Sequence, residues 1–421
     1  NATLNVNGNL TGASTLDNQS GTTTVANIGT SSITTISGGT LDVAGGIKSF
    51  AGAINNTGGT LEIEGDIFSG AGDVTLGSGS ALTLDGGAFL QTVGAAIDGG
   101  GSIEVANSGG ATFEYAIGDN SQVDSLTVTS GGTTTLDANA NFSGDVDVAS
   151  GQTLTNNSGA TLAVGGDVTS DGTITNDGTL TLNGENNAAT INNNGTLTIG
   201  QALTNTGTID LAKSGSTTVD ISEFTADETV ISGGTVKVTG NAELKISSLL
   251  NAGETVTLAD SDITGGGTVE IADSALNEFD VNLTNNGSAT ITVKVRDASE
   301  TADELGVNLA NGSILSQAGR QASVLEDEGF SIIAQLVRDA FKGSSAEATN
   351  AAEQLSDATG AAGAASDASV GASSSSTQNV GNRLASLRGG QTSMAAGNQM
   401  ASDNVWFEAN ANFIDQDARK G

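Results

Sequence analysis

Histidine, cysteine and proline are absent from the 421 residues, which hold one tryptophan and one tyrosine. Without His and Cys, neither a Ser-His-Asp triad, a Cys-His dyad nor the common zinc sites can be assembled from this chain. Lys213-Ser214 lacks the preceding glycines of a phosphate-cradling loop. Positive charge is also scarce, since the cations of the first 290 residues are Lys48, Lys213, Lys237 and Lys245, with no arginine. Against 48 acidic side chains and a net charge of -35, nucleic acid is not an expected partner, because phosphate contacts need clustered Lys and Arg. The acidic surplus reads as a solubility device that also repels anionic lipid, rather than as a specific cation site. No apolar run reaches the length of roughly 18 residues that a membrane-crossing helix needs. The chain opens at Asn1 without Met or an apolar leader, which reads as a mature form or a piece of something longer.

What the chain has in quantity is glycine, 60 residues of it, with abundant Thr, Asn and Ser. Such a composition without pattern would indicate disorder, but the apolar residues alternate within short runs. Leu41-Asp42-Val43, Leu61-Glu62-Ile63, Leu82-Thr83-Leu84, Leu162-Ala163-Val164, Leu180-Thr181-Leu182 and Leu197-Thr198-Ile199 each point two side chains one way and one the other. The runs recur. GGTLDVAGG, GGTLEIEGD, GSALTLDGG and GGSIEVANSGG place Leu41, Leu61, Leu82 and Ile103 at spacings of 20, 21 and 21. A second phrase, an Asn-rich turn followed by Gly-Thr and alternating apolar residues, recurs as TNNSGATLAV, TNDGTLTL, NNNGTLTI and TNTGTIDL between Thr155 and Leu211. A fixed period in this range marks a repeat architecture in which each unit completes its core only against its neighbours. The expected fold is all-β, a right-handed single-stranded parallel β-helix over residues 1–295, with Leu61, Ile63, Leu82, Leu84, Leu162, Val164, Leu180, Leu182, Leu197 and Ile199 pointing inward. The asparagines have two readings, a hydrogen-bonded ladder along the axis or residues that merely tolerate a left-handed turn. The second is expected to cover most of them.

Carboxylates are the remaining candidates for chemistry. Asp42, Glu62, Glu64, Asp85 and Glu104 fall in successive repeats and should face outward along one wall. Paired carboxylates serve polysaccharide-degrading β-helices, but sugar grooves usually add aromatic platforms, and this region has Tyr115 and a few phenylalanines. Phe50, Phe68, Phe89, Phe113 and Phe142 recur with the repeat and read as core. The calcium-binding nonapeptide of β-rolls does not occur. No catalytic, cofactor or metal residue is therefore assigned.

After Val295 the pattern changes. Residues 296–344 form a junction in which SIIAQLVRDAFKG sets Ile332, Ile333, Leu336, Val337 and Phe341 on one helical face, suited to capping the open end of the solenoid. Residues 345–376 are a linker rich in Ala, Gly and Ser, and residues 377–403 contain NVGNRLASLRGG. There Val380, Leu384 and Leu387 form one helical stripe, with Arg383 and Arg388 on the other side. In residues 404–421, Val405, Phe407, Ala409, Ala411 and Phe413 alternate with Trp406, Glu408, Asn410 and Asn412. That is the apolar-out, polar-in alternation of a transmembrane barrel strand.

This order of segments resembles an autotransporter of Gram-negative type V secretion. NRLASLRGG is similar to the family's pore-threading linker helix, and VWFEANANFIDQDARKG to its first barrel strand and following turn, with DQDAR at Asp415 to Arg419 the most specific match. The repeats resemble the passenger, and SVLEDEGFSIIAQLVRDAF lies where the family passes from passenger to translocator. The resemblance implies export through the periplasm to the outer membrane, cell surface or extracellular space, with the outer membrane and its barrel-assembly machinery as partners. It also implies a non-enzymatic stalk acting in adhesion, aggregation or as a structural fibre, through a ligand on a host or neighbouring cell or through self-association. One barrel strand is present where the family closes a whole barrel. No Asn-Asn pair lies between Asn379 and Arg388, so self-cleavage by Asn cyclisation is not expected. The alternatives are a secreted β-helical polysaccharide-degrading enzyme working through paired carboxylates, and a piece of a giant adhesin.

Overall fold

In the computed structural model the described residues are 3–320, apart from 11–15, 30–33, 46, 51, 66, 71, 88, 93–95, 247–253, 272–276, 285–286 and 296–297, together with 348–356. The chain divides into two compact units, Asn1–Arg296 and Asp297–Gly421. The first is a right-handed parallel β-helix.

Each coil of the helix contributes short strands to three parallel ladders. The first ladder runs from Thr3–Leu10 through Thr40–Val43, Thr60–Ile63 and Ala81–Leu84 to Thr255–Ala259. The second starts at the end of Thr3–Leu10, where Leu10 pairs with Ile28 of Thr22–Gly29, and continues through Thr133–Leu136, Thr153–Asn156 and Thr173–Asn176 to Thr235–Lys237. The third opens with Leu16–Asn18 and reaches Ile97–Asp98. Isolated bridges through Ile117 then carry it to Ala140–Phe142 and on to Thr268–Ile271.

Most four-residue strands alternate half-buried and buried positions, because successive side chains of a strand point to opposite faces. Leu41, Leu61, Leu82 and Ile103 are register partners and form one inward column. Leu162, Leu180 and Leu197 form another, on the third ladder. All ten residues expected to point inward are at most 2 % exposed, and each contributes about 1.5–3 kcal/mol by burial. Phe113 and Phe142 are core as well; the side chains of Phe50, Phe68 and Phe89 lie outside the described ones.

The recurring asparagine phrase does not mark one face. In Thr155–Val164 and its next two copies the Asn ends a second-ladder strand and the following strand belongs to the third. In TNTGTIDL, Asn205 ends a first-ladder strand and Thr208–Asp210 lies on the second. The phrase encodes a corner and serves wherever one is needed. At Asn193 and Asn205 the side-chain amide accepts from the N–H and donates to the C=O of the residue two further on, Gly195 and Gly207. Glycine is required there because the previous coil packs so closely. A Cβ at Gly195 would lie 2.1 Å from the Gly178 carbonyl oxygen, and one at Gly207 2.3 Å from that of Ala188.

The first ladder ends with a change of direction. Thr255–Ala259 pairs antiparallel with Ala289–Val295, which pairs antiparallel with Asn277–Asn282. In the second unit, α1 (Ala298–Leu305) ends at Gly306, whose φ of 63° lets Val307 N–H reach the Ala302 carbonyl at 3.0 Å. Asn308 then caps α2 (Leu309–Arg320) by accepting from Asn311 N–H at 2.9 Å. Residues 348–356 are also helical, with Ala348, Ala351, Ala352 and Leu355 buried. No helix among the described residues is long and apolar enough to cross a membrane.

Candidate functional site

The outward carboxylates of the first ladder are the one site that the sequence proposes within the described residues. Asp42 and Glu62 are register partners. Thr83 follows Glu62 and Glu104 follows Thr83, so Glu104 stands two coils beyond Glu62, with Thr83 between them. Glu64 and Asp85 begin the adjoining turn, each donating its N–H across to the preceding coil, to the carbonyls of Val43 and Ile63 at 3.1 Å. Stacking at the strand spacing of about 4.8 Å forces these like charges together.

The electrostatics follow from that placement. Partial burial, then Asp42, Glu64 and Asp85, raise the Glu62 pKa above its ordinary 4.5. Partial burial, then Asp42 and Asp85, raise that of Glu64. Glu62 and Glu64 therefore hold their protons to higher pH than ordinary glutamates. Among the described residues no group of three or more acidic side chains is arranged to hold a metal ion.

Other carboxylates clamp neighbouring coils. Asp98 accepts from the Asn120 N–H and side-chain amide, both at 3.0 Å. Asp167 accepts from the N–H groups of Glu185 and Asn186 at 2.9 and 3.0 Å and from the Asn186 amide at 2.7 Å. Asp210 accepts from Thr239 N–H at 3.1 Å and from its hydroxyl at 2.5 Å, with Lys213 Nζ at 3.9 Å. Their work is to hold turns.

Inside the solenoid lies a feature that the sequence reading undervalued. The buried Asn156 donates from Nδ2 to Asn176 Oδ1 at 2.8 Å, and Asn176 donates likewise to Asn193 at 2.8 Å. Asn187 donates to Asn205 at 2.8 Å on the first ladder. The expectation that most of these asparagines occupy left-handed turns is corrected: the non-glycine residues with positive φ among those described are Ser170 and Asp227. Each ladder begins where an apolar residue precedes the first Asn, Leu136 before Asn156 and Val168 before Asn187. There Asn156 Oδ1 and Asn187 Oδ1 accept no hydrogen bond among the described residues. The signal available in sequence was the in-register recurrence of Asn at the end of the alternating run, Thr-Leu-Thr-Asn156, Thr-Ile-Thr-Asn176 and Thr-Ile-Asn-Asn193, where the next inward side chain is due.

The expected capping face (Ile332, Ile333, Leu336, Val337, Phe341), the pore-helix-like segment (Val380, Arg383, Leu384, Leu387, Arg388) and the barrel-like strand (Val405 to Phe413) lie outside the described residues. No family model matches this chain, and neither the curated proteins nor the solved structures include a match.

Proposed function

We propose that the chain is the non-enzymatic passenger stalk of an autotransporter with the start of its translocator, exported across the periplasm of a Gram-negative cell and displayed at the surface or released. Its work is adhesion, aggregation or service as an extracellular fibre. The observation that carries this reading is a polar-walled β-helix followed, after NRLASLRGG, by the strand-like alternation of Val405 to Phe413 and DQDAR. A parallel β-helix suits an exported stalk, because each coil needs only its neighbours to fold against. The structural use of Asp98, Asp167 and Asp210 in coil-to-coil bonds suits a scaffold role.

The barrel segment provides the test. A membrane strand directs Phe407, Ala409 and Phe413 to lipid and Glu408, Asn410 and Asn412 to the lumen. In the full-length protein, Ala409→Lys should reduce surface display, at a cost of about 2–4 kcal/mol near the midplane, while Asn410→Lys should be tolerated. Equal responses to the two changes, or none to either, would remove the basis for the autotransporter reading.

A further inference from the structure

Most buried asparagines of the solenoid bond to the protein. Asn56 shows how: its amide accepts from the Gly59 N–H at 3.0 Å and donates to the carbonyls of Gly59 and Ala81, both at 2.9 Å. Asn107 is also wholly buried, yet neither its Nδ2 nor its Oδ1 has a partner among the described residues. It continues the inward alternation of Ile103 and Val105 and stands at the corner between the first-ladder strand Ser102–Val105 and the second-ladder strand Ala111–Phe113.

One coil further on, the same corner leads into Thr134, which is wholly buried and whose Oγ1 likewise has no partner among the described residues. Thr134 is the register partner of Ala111. The two coils are in contact here, since a Cβ at Gly131 would lie 1.8 Å from the Asn107 carbonyl oxygen. The inward column through this corner runs Ala111, Thr134, Leu154, Ile174, Ile191 and Ile209. Four coils fill it with Leu or Ile, whereas the two beside Asn107 supply smaller side chains. Room and unbonded polar atoms therefore coincide. Leaving three such atoms dry would be strongly unfavourable, and a polar, roomy pocket of this kind is where proteins hold internal water.

We propose that this corner is a binding site for internal water, held between the Asn107 amide and the Thr134 hydroxyl. Water accepts from Nδ2 and donates to Oδ1, and the Thr134 hydroxyl can take either part. A hard cation does not fit, because one amide oxygen and one hydroxyl, without a carboxylate, fall short of the oxygen set that Ca²⁺ or Mg²⁺ takes. The water ties these two coils together as the bond from Asn156 to Asn176 ties two others. The proposal rests on burial and register and is independent of the export reading.

A crystal structure of the 421-residue chain, at a resolution that shows waters, tests it directly. The expected result is ordered water within about 2.7–3.2 Å of the Asn107 amide and of Thr134 Oγ1. Denaturant unfolding gives a second reading. Thr134→Val keeps the shape and removes the hydroxyl, so it should lower the unfolding midpoint with the slope unchanged, because the water loses a partner. A dry, unbonded hydroxyl would make valine the better residue and raise the midpoint. In an Asn107→Leu background the same change should cost less, since the two side chains share the water. A corner that is dry or closed by protein partners in the crystal, a midpoint raised by Thr134→Val, or strictly additive effects of the two changes would each overturn the proposal.

Discussion

Asn176 occupies a core position at no exposure because its amide is satisfied in both directions. It accepts from Asn156 and donates to Asn193 Oδ1 and to the Thr196 carbonyl, the last two at 2.8 Å. A buried amide without such partners would be strongly unfavourable; with them it ties one coil to the next at a corner where no apolar side chain could bond the backbone. Replacing it by leucine, Asn176→Leu, removes the middle rung and leaves Asn156 and Asn193 with fewer partners. The expected loss is about 1–3 kcal/mol, read as a lower midpoint in denaturant unfolding with the slope unchanged. This rung was visible in the sequence as an Asn recurring at the end of an alternating strand. Its role was not, since the same letters suit a left-handed turn, and only register shows that Asn156, Asn176 and Asn193 stack inward.

At the scale of the element, alternation was enough to identify the strands and their buried faces, since a half-buried strand repeats every two residues whatever it pairs with. The assignment of strands to faces was not legible. Leu61 and Leu180 sit in look-alike phrases on different ladders, because a corner made by Asn-x-Gly has the same local chemistry wherever it occurs. The antiparallel finish of the first ladder and the helices α1 and α2 were also missed. NEFDVN and ATITVKV read as further strands, and pairing direction is set by partners rather than by the strand itself. The acidic wall of the first ladder was legible, and so is its consequence. With the pKa of Glu62 and Glu64 raised in the fold, the folded chain binds more protons than the unfolded one between 4.5 and the raised values. Stability should therefore fall as pH rises through that window, the penalty being absent below it and fully present above it. Glu62→Gln should raise the melting temperature at neutral pH and flatten its decline above pH 4.5, as thermal denaturation over a pH series would show. A steeper decline in the variant would mean that the wall is not a source of repulsion.

For the whole molecule, the distribution of chemistry is the informative property. Hydroxyls, amides and carboxylates are abundant, yet those with the clearest geometry, at Asp98, Asp167, Asp210 and the asparagine ladders, bind coil to coil. On the proposed export reading, the first unit is a scaffold whose surface is presented outside the cell. That claim is tested most directly by the side of the outer membrane on which the solenoid stands. Ser125 lies on an outward position of the first ladder, in a strand whose alternate residues Leu126 and Val128 are buried. In the full-length protein, Ser125→Cys supplies a thiol that residues 1–421 otherwise lack. A membrane-impermeant thiol reagent applied to intact cells should label this variant above the unsubstituted control, with no further gain on lysis. Labelling that requires lysis would place the solenoid on the inner side of the outer membrane and contradict the account.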